Sequence, residues 1–228
     1  MWQRIKKYYW ISLCIIVVFI LIGIRFTIPE GTRLSDLMNN GFYLETKFYG
    51  IYAILFIFCL FPVAKEWNDY RFVIRMGYHK SFTRMLLKIS MHAISFSFLL
   101  TIGIYLIDGS KCVDCFTGKN IVYICTLFCS QAFGWFFIGV VYLGLYMLFR
   151  KKIIVFLLTE FLLIGLNSAT YVNDTVDLEK YIRMFLFMFH VEYFSSMFSL
   201  VSVISLYMMV AAGICFIIER YCAKREIY

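Results

Sequence analysis

The chain has 228 residues, 62% of them hydrophobic, 20% aromatic and only 16% charged, with a formal net charge of +8 and a mean hydropathy of +0.80. Soluble domains run at roughly 45–50% apolar and 25% charged residues, so a water-soluble globule of this size could not hide so much apolar surface. Lipid can receive it, and a helix of about 20 mostly apolar residues, or roughly 17 at the short end, crosses the hydrocarbon core.

Residues 1–9 mix Trp2, Ile5, Tyr8 and Tyr9 with Arg4, Lys6 and Lys7, the pattern of an amphipathic helix lying in the membrane interface. A first apolar span follows at 9–24. Arg25 comes directly after it and no small-x-small cleavage site follows Ile24, so this span is expected to be retained. Pro29, Gly31, Asn39, Asn40 and Gly41 mark turns on the way to a second span at 48–64. The connection 65–88 is long and basic, and leads into a third span at 89–107. A short polar loop separates that span from a fourth, overlong one at 121–148, and Arg150, Lys151 and Lys152 precede a short fifth at 153–166. The aromatic stretch 185–197 is interrupted by His190 and Glu192, too polar for a comfortable span and too apolar for water. It reads as a re-entrant helix, with an early start of the sixth span, 198–218, as the plainer alternative. Continuous apolar runs favour helices over a barrel of short alternating strands. The expected fold is all-α, a single polytopic membrane domain of six transmembrane helices.

Orientation follows from Lys and Arg. With the amino terminus inside, 15 of the 22 basic residues fall in the amino-terminal segment, the 65–88 connection, the Arg150–Lys152 turn and the carboxy-terminal tail. The opposite face receives seven basic residues against nine acidic ones. The positive-inside rule then predicts both termini in the cytoplasm of a multi-pass protein of the cell membrane. That distribution accounts for the +8 charge through topology and anionic lipid, so nucleic acid is not an expected partner.

The inner connection carries the main candidate for a functional element. Trp67, Tyr70, Val73 and Ile74 recur at helical spacing, Gly77 supplies a break, Ser81 lies near the restart, and Lys80, Arg84 and Lys88 lead into the third span. An amphipathic cytoplasmic helix, a glycine turn and a basic approach to the membrane are the consequence. In this the chain resembles the permease subunits of ABC-2-type transporters, whose second and third spans are joined by a short coupling helix and a glycine followed by basic residues. Arg75, Gly77, Lys80, Arg84 and Lys88 look like that pattern, although His79 stands where the family often has a small hydroxyl residue. The amphipathic amino terminus, six spans, inside termini and aromatic element before the last span extend the resemblance over most of the chain.

The resemblance implies a homodimer of permeases of a bacterial exporter, working with two copies of a separate ATPase. Trp67, Tyr70, Arg71, Arg75, Gly77, Lys80 and Arg84 would couple to that subunit, its closure on ATP moving the 66–84 element as a lever. ATP and Mg would be held by the partner, because this sequence contains no Gly-x-x-x-x-Gly-Lys-Ser/Thr phosphate loop and the chain is expected to bind no cofactor or metal of its own. Export of a hydrophobic or amphipathic compound, such as a peptide, antimicrobial or lipid-like molecule, is the function implied.

Other polar residues are weighed singly. Glu160 lies within the fifth span, where an ionisable side chain is expensive, and is a candidate for the substrate path, with snorkelling from a short span as the alternative. His190 and Glu192 are candidates for an outer gate or a polar interfacial edge. Cys112 and Cys115 form Cys-Val-Asp-Cys in an outer loop, open to a local disulfide or to unpaired thiols. Cysteines within spans act as small apolar fillers. No serine-nucleophile or His-Glu-x-x-His setting suggests an enzyme. A non-transporting immunity or sensor protein that binds a peptide is the reading of a different class.

Overall fold

A computed structural model describes the backbone of residues 48–67, 78–108, 118–172 and 197–225, together with Gly31 and Arg33, and side chains over 51–64, 79–102, 118–165 and 199–220. The expected interfacial helix at 1–9, the span at 9–24 and the aromatic element before Met197 lie outside these residues. Those described are helical apart from short turns. A π-helical stretch, Phe48–Ala53, runs into α1, Ile54–Trp67, and is followed by α2, Tyr78–Asp108, α3, Gly118–Phe149, α4, Lys152–Val172, and α5, Met197–Arg225.

Three of these helices are long and apolar enough to cross a bilayer, over His79–Ile102, Gly118–Phe149 and Ser199–Arg220. They correspond to the third, fourth and sixth expected spans. At 48–64 the structure has a shorter apolar run, Ile51–Ala64, with Pro62 inside α1. Proline deletes a backbone donor and crowds the carbonyl one turn earlier, which membrane helices tolerate when neighbours shield the gap. The short fifth span becomes a 21-residue helix because α4 continues through Asn167 and Ser168 to Val172. The overlong fourth is one unbroken helix of 32 residues, roughly 48 Å at about 1.5 Å per residue and longer than a core of about 30 Å.

The helix of the third expected span begins earlier than 89. The expected restart after Gly77 falls at Tyr78, and the basic approach 78–88 forms the first turns of α2. Its sequence explains this, because Lys80 and Arg84 are exposed and Lys88 half-buried at four-residue spacing, while Ser81, Met85 and Ile89 are buried at the same spacing on another face. A lever ending at Arg84 therefore continues without a joint into the third expected span.

Contacts fix the direction of every helix. Phe96 meets Trp135 and Ser97 bonds to Phe128, while Ile89 lies against Gly139, so α2 and α3 are antiparallel. Phe56 with Trp135 and Phe61 with Tyr142 make α1 parallel to α3. Phe137 with Tyr207 and Gly144 with Ile214 make α5 parallel to α3 as well. A two-residue turn reverses α3 into α4, with Arg150 in the left-handed region at φ 55 and its N–H bonded to the Tyr146 carbonyl at 2.8 Å. The five helices thus alternate in direction.

α3 is the hub, with 61% of its most apolar window buried against 17% for α5. Between helices in lipid the hydrophobic drive is weak, so small residues that permit close approach matter more. A Cβ on Gly139 would collide with Ile89 Cγ2 and lie 3.6 Å from Leu60 Cδ1, where α1, α2 and α3 converge. Ile89 is β-branched and cannot swing its Cγ2 aside cheaply. Gly139→Val should destabilise the bundle by about 1–3 kcal/mol, measured by thermal melting in detergent. Gly139→Ala should cost less in an Ile89→Ala background than alone, whereas strictly additive costs would refute the contact.

Polar groups within the bundle are mostly consumed locally. The Thr83, Ser90, Thr126 and Thr159 hydroxyls donate to carbonyls one turn earlier, and His92 Nδ1–H donates to the Lys88 carbonyl at 2.7 Å. Side-chain bonds also join α2 to α3. Ser97 Oγ donates to the Phe128 carbonyl at 2.8 Å, and Thr101 Oγ1 donates to Gln131 Oε1 at 3.2 Å.

Candidate functional site

Two places in the bundle hold chemistry that packing alone does not require. The first is the end where α1, α3 and α5 finish and α2 and α4 begin. Alternating directions collect Lys80, Arg84, Lys88, Arg150, Lys151, Lys152 and Arg220 there, and leave Lys119 at the opposite end. His79 Nδ1–H donates to Glu219 Oε1 at 2.7 Å, tying the start of α2 to the end of α5 across the chain. His79 is 77% exposed, so this contact adds at most about 1 kcal/mol of stability. Its weight is positional, because it sets the start of α2 beside the end of α5. Arg220 lies over the Phe216 ring, 5.3 Å from its centroid, on the same last turns.

Paired His79→Cys and Glu219→Cys substitutions should form a disulfide under mild oxidation, detected as a linked peptide by mass spectrometry. A control pair of His79→Cys with Lys119→Cys should not. Equal linkage of both pairs would contradict the helix directions.

Among the expected coupling residues, Lys80 and Arg84 lie on the exposed face of α2, and Trp67 is the last residue of α1, where only its backbone is described. Tyr70, Arg71, Arg75 and Gly77 lie outside the described residues. So do His190, Glu192, Cys112 and Cys115, together with the two alternatives for the Cys pair. Glu219 was not singled out from the sequence. Its signal was present, as a lone acid among Ile217, Ile218 and Arg220 at the end of an apolar run.

The second place surrounds Glu160. α4 packs through Val155, Thr159, Glu160 and Leu163, and turns Leu157, Phe161 and Leu162 outward. Glu160 is therefore on the buried side, 8% exposed, and its Oε1 has no hydrogen-bond partner among the described residues. At about 1.5 Å per residue it stands roughly 12 Å beyond the start of α4. One turn before it, Phe156 stacks on Phe58 at 5.2 Å and meets Phe61 edge-on at 6.4 Å. Phe61 in turn stacks on Tyr142 at 6.3 Å, and Tyr142 on Tyr146 at 6.2 Å. The Tyr142 ring is 1% exposed, and its hydroxyl also has no partner among the described residues. A buried acid and an orphan hydroxyl thus flank an aromatic seam shared by α1, α3 and α4. Sequence spacing gives Phe156 and Glu160 a common face, but nothing in it brings Phe58, Phe61 and Tyr142 to them.

Among the described residues no group of three His, Cys, Asp or Glu side chains could hold a metal ion, and Cys59, Cys125, Cys129 and Cys215 form no disulfide with one another. The fold is that of an all-helical chain whose long apolar helices point to a membrane protein. No family model matches it, and no curated protein or solved structure is detectably similar.

Proposed function

We propose that the chain is the membrane-embedded permease subunit of an ATP-driven ABC exporter of the ABC-2 type, with six spans, both termini in the cytoplasm and catalysis on a separate ATPase. The single observation that carries the reading is the α2 start. The segment after Gly77 is a rigid helical extension with a basic exposed face, and its His79 is tied to Glu219 at the end of α5. A push on the 66–77 connection would pass directly into a long apolar helix and, through that bond, into a second one. This is the mechanical requirement of a permease driven from outside its own chain. The basic cluster at the same end supports a cytoplasmic placement of that end. Two permeases with two ATPases, and a hydrophobic or amphipathic cargo, complete the reading.

The test is dependence of a motor on this chain. An ABC ATPase that co-purifies with the chain, reconstituted in lipid, should hydrolyse ATP faster with the permease than without it. Unchanged hydrolysis would defeat the proposal and favour a peptide-binding immunity or sensor protein, which needs no motor.

A further inference from the structure

We propose that Glu160 and the aromatic seam beside it form a binding site for a lipophilic organic cation, reached from within the bilayer. This deepens the transport reading by giving the cargo a charge, but the site itself rests only on the residues around Glu160. A buried acidic side chain is expensive unless a counter-charge meets it, and among the described residues no basic group forms an ion pair with Glu160, which is 8% exposed. Its orphan Oε1 supplies an acceptor that the fold does not use. Phe156 and Phe58 stack on one another and Phe61 meets Phe156 edge-on, so the ring faces left uncovered can attract a cation through their quadrupoles. Phe58 is 40% exposed, which opens the seam toward the lipid side of α1 and α4. The Tyr142 ring stacks on Phe61 in the same seam, and its buried hydroxyl has no partner among the described residues. An anion would meet the Glu160 acid with nothing to offset it, and a neutral hydrocarbon would leave the oxygen unsatisfied. A cation with an apolar body satisfies both the acid and the rings.

Tetraphenylphosphonium and tetraphenylborate have the same shape and opposite charge, so they separate this chemistry from general greasiness. Purified protein in lipid nanodiscs, without any ATPase, should bind the phosphonium saturably and show no saturable binding of the borate. Glu160→Gln should weaken phosphonium binding by about tenfold or more, Phe156→Ala by severalfold, and Glu160→Asp should retain most of it. Equal binding of both ions by the unaltered protein, or a folded Glu160→Gln variant with undiminished affinity, would overturn the site. Because no motor is present, failure here leaves the dependence of the ATPase on this chain standing, and a positive result does not establish it.

Discussion

Trp135→Ala should destabilise the bundle by about 3–5 kcal/mol, the range for deleting a large buried aromatic. Trp135 is fully buried, with Phe56 of α1 at 5.0 Å and Phe96 of α2 at 4.9 Å, and those two rings lie 5.4 Å apart. Three helices therefore meet on one indole, and each tilted or edge-on pair contributes about 0.5–1.5 kcal/mol beyond burial. Removing the indole loses two such contacts at once and leaves a cavity bounded by helices that cannot all close on it. Thermal or denaturant unfolding in detergent reads the effect. Trp135→Phe should recover most of the loss, and an alanine variant as stable as the parent would mean that the three helices do not converge there.

Truncating Trp67 and Tyr70 together to alanine should abolish stimulation of the ATPase while leaving the permease folded. The proposal makes these aromatics the face that the motor grips. Aromatic anchors at interfaces cost about 2 kcal/mol or more when truncated, so association should weaken by at least about thirtyfold. Stimulated hydrolysis in proteoliposomes falls accordingly, while the melting temperature of the permease stays within a few degrees. A peptide-sequestering protein would behave differently, retaining its protective effect in cells carrying both substitutions. Retained stimulation would remove the coupling role from this face.

Much of the architecture was legible because its causes are local. Long apolar runs give helices with few alternatives in lipid, and the basic clusters at Lys80–Lys88 and Arg150–Lys152 mark one end of the bundle before any contact is known. Boundaries were less legible where polar residues could be accommodated inside a helix. Lys80, Arg84 and Lys88 looked like a connection, yet their spacing lets an exposed basic face coexist with buried Ser81, Met85 and Ile89. Asn167 and Ser168 looked like the end of a span, yet α4 continues past them.

The candidate site was legible only in its acid. Glu160 stands out in an apolar run because a carboxyl at that depth needs a reason. Phe58, Phe61 and Tyr142 are ordinary members of an aromatic-rich sequence, and only the parallel packing of α1 on α3, with α4 folded back beside them, makes them neighbours of Phe156. The His79–Glu219 bond spans 140 positions and could not be inferred from spacing.

Native mass spectrometry of the tagged chain, extracted in mild detergent from its native cells, tests the central claim most directly. The account predicts a complex of two permease and two ATPase copies, dissociated by the Trp67 and Tyr70 substitutions. A chain that emerges free of any ATPase would contradict it.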